Sequence, residues 1–377
     1  MNTYDYIIAG AGAAGLSLLI RMIDSGKFID KKILLVDKEP KIKNDRTWCF
    51  WEKENDIFES IVYKEWRHLW FHDAGHSALH DISPYRYKLI RGIDFYEYCF
   101  KVIAAQPNIT VLYGDITSCF SNGEETYIDI GKTKITAGYI FSSILPEKKT
   151  LLNNQYYLLQ HFKGWLIETS VPCFDPSQAT LMDFRINQDE GTTFVYVMPF
   201  SPTRALVEFT LFSKQLIPGA AYDQGLLSYC KNYLKLNEFR IIEKEYGVIP
   251  MTNIVFPKHD HHIMYIGAAG GQTKASSGYT FRFIQKQSAD IVQALIKTGI
   301  PNSKASARRF NFYDSVLLNI LSNNTFPGSD LFSLLFSKNK MEQVMKFLDN
   351  ETSLREELRI ISVLPKRVFM KAAIQQL

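Results

Sequence analysis

Gly10, Gly12 and Gly15 stand at GxGxxG spacing in Gly10-Ala11-Gly12-Ala13-Ala14-Gly15, after an apolar run and before residues of helical period. Chemistry that grips a diphosphate needs this pattern. The first glycine allows a tight turn, the second lets backbone approach the phosphates, and the third lets the helix pack on the strand. The helix N-terminus, with Ala14 in its first turn, supplies free N–H groups and positive potential. Asp37 lies 22 residues beyond Gly15, at the end of a second apolar run, where a carboxylate accepts hydrogen bonds from a ribose. A second glycine cluster, Gly267-Ala268-Ala269-Gly270-Gly271, precedes Ser276-Ser277-Gly278-Tyr279 and another helical pattern. A late loop of this kind, with Gly267 and Gly278, suits a dinucleotide whose far half needs its own backbone contacts. This favours FAD over a nicotinamide dinucleotide alone. Arg91, just before a helical run from Ile93, is a candidate cofactor contact; a plain surface charge is the other reading.

These residues need elements to hold them. Tyr4–Ala9 reads as a strand, Ala13–Ser25 as a helix ended by Gly26, and Lys32–Asp37 as a buried parallel strand. Together they form one βαβ unit. Residues 44–87 look antiparallel. A helix over Ile93–Ala105, a strand over Ile109–Asp115, a hairpin at Asn122-Gly123 and a strand over Tyr139–Ile144 follow. Residues 155–250 read mostly as strands, and from Met264 strand, glycine loop and helix (Phe281–Thr298) return. The remainder is helical. The expected architecture is α/β: an FAD/NAD(P)-binding Rossmann-like domain (1–45, 88–150 and 251–300), an inserted, mostly antiparallel substrate domain (46–87 and 151–250), and a helical C-terminal region (301–377).

Composition sets outer limits. With 43 Lys+Arg against 39 Asp+Glu the net charge is +4, too small to imply nucleic acid as a partner. From Pro301 onward 11 Lys/Arg face 7 Asp/Glu, interleaved with apolar residues. That mixture suits either an anionic membrane surface or a solvated helical face. The five cysteines lack metal-ligand spacing and read as reduced thiols of a cytoplasmic protein, with no metal site expected. Strand-like residues begin at Tyr4, which leaves no room for a signal peptide, and no apolar run is long enough to span a bilayer. Any membrane contact is therefore expected to be peripheral, on the inner face. The 46 Phe and Tyr fit either sheet packing or a ring-lined cavity for an apolar ligand.

Further segments carry a resemblance. Asp45-Arg46-Thr47-Trp48-Cys49-Phe50-Trp51 resembles the RTWxFW signature of bacterial lycopene β-cyclases, and Leu181-Met182-Asp183-Phe184-Arg185 resembles their MDxR segment. Phe194-Val195-Tyr196-Val197-Met198-Pro199 and Leu206-Val207-Glu208-Phe209-Thr210 are similar to their FVYxLP and LxExT elements. Gly247-Val248-Ile249-Pro250-Met251, Ser277-Gly278-Tyr279 and the region Phe310–Phe369 also match, so the likeness runs through nearly the whole chain in order. Ala275 and Ala268 depart from it, standing where the family often has proline and where many related flavoproteins have aspartate.

The resemblance implies conversion of the linear ψ-ends of lycopene, or another acyclic carotenoid, into β-rings, giving γ-carotene and β-carotene. It also implies reduced FAD as the working cofactor and NAD(P)H as external reductant. Such a cyclisation begins with a proton added to an alkene. It needs a strong acid in a dry pocket and an electron-rich group beside the resulting cation. Glu208, among Leu206, Val207 and Phe209, is the candidate acid, although strand alternation alone would equally turn it to solvent. Asp183 and Arg185 are second candidates, with a surface ion pair as the plain reading. A redox flavoenzyme of the same fold (a hydroxylase or prenyl reductase) and a non-enzymatic prenyl-binding module are the alternatives.

Overall fold

The computed structural model describes residues 3–145, 151–152 and 154–376, so 1–2, 146–150, 153 and 377 of the spans above lie outside the described residues. Thr3–Ala9 forms the expected first strand. It lies between Thr133–Ser142 and Ile33–Asp37, parallel to both, with Ile7 level with Ile140 and Leu34. Ile263–Tyr265 and Ile109–Tyr113 extend this parallel sheet on its two sides. Side chains alternate between the faces. Ile8 and Leu35 pack under the helices Ala13–Asp24, Gly92–Ala104 and Phe281–Thr298. Ile7 and Leu34 pack against the hairpin Ile116–Ser121/Thr126–Ile130, which turns at Asn122-Gly123. Burying each such side chain is worth about 1.5–3 kcal/mol, which is why this unit is written so plainly in the sequence.

A second sheet of seven strands runs in the order Arg240–Thr252, Tyr157–Glu168, Arg204–Ser213, Thr192–Ser201, Gln178–Asp183, His68–His72, Ser77–Asp81. One face is covered by a helix, Gly219–Asn232, through Tyr222, Leu226, Tyr229 and Cys230. This helix interrupts a region read as mostly strand. Its sequence, with glycine at both 219 and 225, has weak helix propensity, and tertiary packing of one apolar stripe overrides it. The opposite face is shared between a cavity and the C-terminal helices.

Residues 46–87 divide between two sheets. Thr47–Glu52 and Lys64–Trp66 both pair with Arg86–Arg91 in a three-stranded sheet, while 68–81 join the large one. The tail folds into the helices Arg308–Ser322, Gly328–Lys338, Met341–Leu348, Leu354–Ile361 and Lys366–Ile374. It belongs to the core. Phe332 stacks on Phe184 at 5.8 Å and Phe336 on Phe71 at 5.0 Å between centroids. Among the described residues no helix is long and apolar enough to cross a membrane.

Candidate active site

The glycine motif separates into two kinds of residue. At Gly10, φ is +109°, and a Cβ would lie 2.1 Å from Ser143 Oγ. At Gly15 a Cβ would lie 2.0 Å from the carbonyl oxygen of Gly10. Both are demanded by packing. Gly12 is different, because no atom of the described residues lies within 4 Å of its Cβ position. It caps a helix that has no side-chain cap and no acidic residue in its first turn, so the N–H groups there are available to an anion. Asp37 braces the turn: Oδ2 accepts from Ala11 N–H at 2.6 Å, and Oδ1 pairs with Lys41 at 2.9 Å. Gly267 brings in the late loop, since a Cβ there would meet the Ala14 methyl at 2.6 Å.

These two glycine segments form one wall of a cavity of 540 Å³. Gly12, Ala13 and Ala14 line it at one end, with Ser277, Gly278 and Tyr279 from the late loop. The rings of Trp48, Tyr87, Tyr96, Phe162, Tyr196 and Phe281 contribute much of the remaining lining. Buried polar atoms of the wall, among them Gln160 Oε1 and Ser277 Oγ, have no hydrogen-bond partner among the described residues. Gly278 leaves room for the first: a Cβ there would sit 1.9 Å from Gln160 Oε1. Orphaned polar atoms beside an open helix N-terminus fit a polar, phosphate-bearing group lying along this wall.

Glu208 borders the same cavity. On its strand Val207 and Phe209 pack into the cluster under helix Gly219–Asn232, so alternation turns Glu208 to the cavity face with Leu206 and Thr210. Solvent is not what waits there. Across the sheet Tyr196, Glu208, Gly164 and Glu245 stand level on four neighbouring strands. Gly164, between the two glutamates, has no side chain, and a Cβ would lie 2.8 Å from Glu245 Cγ. The carboxyls therefore face one another across a glycine.

Burial pushes the Glu208 carboxyl well above the ordinary carboxylate range, and the Glu245 carboxylate pushes it further in the same direction. The Thr210 hydroxyl, donating at 3.0 Å, opposes this only in part. Burial raises Glu245 too, against the Thr47 hydroxyl donating at 2.7 Å. Burial also raises the Cys49 thiol and the Tyr87, Tyr196 and Tyr279 phenols, keeping these neighbours neutral. The result is an acid held protonated in a ring-lined space. Glu245 went unread in the sequence because its partnership depends on cross-strand register. The signal available was its position two residues before Gly247, on the same strand face as the recognisable Gly247–Met251 segment.

The other candidates lie elsewhere. Asp183 is fully buried, but it binds Arg185 through both oxygens (2.9 and 2.5 Å) and accepts from the Tyr229 hydroxyl at 2.7 Å. Neither Asp183 nor Arg185 lines the cavity. Arg91 is held by Asp94 at 2.6 Å and lies over the Tyr63 ring. It lines a separate pocket of 40 Å³ with Thr47, Glu243 and Glu245.

A family model described as lycopene cyclase protein matches residues 5–374. A lycopene beta-cyclase of Paracoccus sp. is 27% identical over 229 residues, 55% of this chain and 56% of that protein. One from Pantoea ananas is 26% identical over 267 residues, 66% and 63% respectively. The chain thus aligns with rather less than two thirds of each relative's length. Among solved structures, a geranylgeranyl bacteriochlorophyll reductase-like protein from Thermoplasma acidophilum has a TM-score of 0.67 at 14% identity, over 100% of both chains. The flavin-dependent brominase Bmp2 has 0.61 at 13%, over 93% and 94%. At such identities the structures speak for the fold, the expected Rossmann-like α/β architecture with its inserted antiparallel sheet.

Proposed function

The chain belongs to the lycopene cyclase family, and from that premise we propose that it closes the linear ends of lycopene into β-rings by a proton-initiated isomerisation. The observation that carries this reading is Glu208: a carboxyl held protonated by burial and by Glu245, at the wall of an aromatic-lined cavity. The acid gives its proton to the terminal double bond, leaving a tertiary cation. The π electrons of a nearby double bond form the new carbon–carbon bond of a six-membered ring. Return of a ring proton to the Glu208 carboxylate then sets the β double bond and restores the acid, so the elemental composition is unchanged. The neutral rings of Tyr87, Tyr196 and Tyr279 present electron-rich faces to the cationic stage and exclude water from it.

Gly12, Ala14 and the helix N-terminus would hold the diphosphate of FAD, Asp37 would sit at the ribose end, and Gly267 and Gly278 would admit its far half. Bound in reduced form, with NAD(P)H as the external reductant, FAD would supply negative charge beside the cation. The substrate is membrane-borne, and exposed Leu354, Leu358, Met370 and Ile374 on the last two helices support peripheral contact with a membrane surface. The test is expression in lycopene-accumulating cells with chromatography of the carotenoids formed. Cyclic products of unchanged mass are expected, and none with Glu208→Gln. Unconverted lycopene in cells making the wild-type chain overturns the proposal, while products heavier by oxygen or hydrogen mark a redox flavoenzyme instead.

A further inference from the structure

The carboxyl pair differs from four other buried acids of this protein. Glu52 pairs with Lys88 and Arg282, Asp183 with Arg185, Asp314 with Lys274, and Glu357 with Arg309. Glu208 and Glu245, among the described residues, have no cation within ion-pair distance; each has a threonine hydroxyl and the other carboxyl. Two carboxylates set face to face with no cation beside them do not readily both ionise, so they share a proton. Their surroundings decide which one keeps it. Glu208 looks onto the cavity, where Cys49 from one strand, Tyr87 and Tyr196 from two others and Tyr279 from the late loop are all neutral. Glu245 does not line the cavity. It borders the 40 Å³ pocket, whose polar lining includes Asn44, Arg91, Glu243 and Lys244. That volume holds about two or three waters. Charge is therefore better tolerated on Glu245, and the proton resides on Glu208.

We infer that Glu245 is a positioning residue for the proposed cyclisation: its carboxylate, set opposite Glu208 across Gly164, keeps the donated proton on the cavity-facing oxygen. This rests on the reading of Glu208 as the proton donor. Glu245 acts without touching the substrate, and its signature is a pH profile. Cyclisation requires protonated Glu208, so the rate falls on the alkaline side as Glu208 ionises. Removing the opposing charge lets Glu208 ionise at lower pH.

The experiment uses the FAD-loaded, reduced protein with lycopene in detergent or liposomes. In Glu245→Gln the alkaline limb of kcat/KM is expected to move down by about one pH unit or more, with flavin content and the KM for lycopene retained. Glu245→Asp, which restores the charge, should move it back. Gly164→Ala is the second variant, keeping both carboxyls but forcing Glu245 aside, since its new methyl would sit 2.8 Å from Glu245 Cγ. It should shift the limb in the same direction. Infrared titration of lycopene-free protein gives a readout without turnover. A protonated-carboxyl band that disappears in Glu208→Gln should titrate at lower pH in Glu245→Gln. Unshifted limbs and an unshifted band overturn the role of Glu245. A wild-type protein that does not cyclise, or a Glu208→Gln variant that does, would instead defeat the reading on which it rests.

Discussion

Replacing Gly12 by alanine separates binding from folding. Its backbone, at φ −84° and ψ −170°, is extended and open to any residue, and no atom of the described residues lies within 4 Å of the new methyl. Two small effects then oppose each other in the apoprotein. Stiffening the unfolded chain stabilises by about 0.4–1 kcal/mol. Alanine is a poorer N-cap than glycine by a similar amount, roughly 0.5–1 kcal/mol. The net change should stay within about 1 kcal/mol, a Tm shift of no more than roughly 2–4 °C. The methyl would nonetheless stand where backbone must approach the phosphates. FAD affinity should fall at least tenfold, a loss of about 1.4 kcal/mol or more. Gly15→Ala is the control of opposite character. Its methyl would meet the Gly10 carbonyl oxygen at 2.0 Å and Ile8 Cγ2 at 2.9 Å. Overpacking of this kind costs about 1–3 kcal/mol or more, so this variant should lose stability first. Thermal unfolding of the apoproteins and titration of flavin fluorescence give both quantities. Wild-type FAD affinity in Gly12→Ala would exclude a close approach of the phosphates at Gly12, and an apoprotein melting far below the wild type would show that packing demands this glycine too.

Asp183→Ala should destabilise by roughly 1–3 kcal/mol in denaturant unfolding, because it leaves the buried Tyr229 hydroxyl without its acceptor, while half-buried Arg185 can reach water. Asp349, buried at the end of Met341–Leu348, is raised by burial to about 6. Stability it contributes below its ordinary value of 3.8 is lost as pH rises through 6, roughly 2–3 kcal/mol in all. Asp349→Asn should flatten that slope in unfolding measured across this window. Leu358→Glu with Ile374→Glu, at 68% and 68% exposure, should leave Tm within a degree or two and weaken co-sedimentation with anionic liposomes. Unchanged co-sedimentation would leave the tail a structural element only.

The glycine turns were legible in the sequence because backbone demands them. Only glycine takes φ +109° beside Ser143 or lets Gly15 press on the Gly10 carbonyl, so residue type reports geometry directly. The parallel strands were legible for a related reason: burial on both faces leaves an unbroken apolar run. Glu208 was only half readable. Alternation placed it opposite Val207 and Phe209, but the sequence does not say whether that face meets water or a cavity. The answer depends on Gly164, Tyr196 and Glu245, which come from three other strands and are brought level by register. Asp183 illustrates the converse, since a charged pair in a recognisable motif proves to be locked by Tyr229 away from the cavity. The tail, read as a basic surface, turns out to cover the large sheet, because Phe332 and Phe336 lie on helix faces whose partners, Phe184 and Phe71, are distant in sequence.

Purified protein loaded with reduced FAD and given lycopene under anaerobic conditions, beside Glu208→Gln handled identically, shows where the proton comes from. The wild type is expected to yield β-ringed carotenoid of the same mass as lycopene without consuming stoichiometric reductant. The variant should remain yellow when oxidised and yield none. Equal conversion by both proteins, or product formed only with stoichiometric oxidation of the flavin, would contradict a buried glutamic acid as the source of the proton.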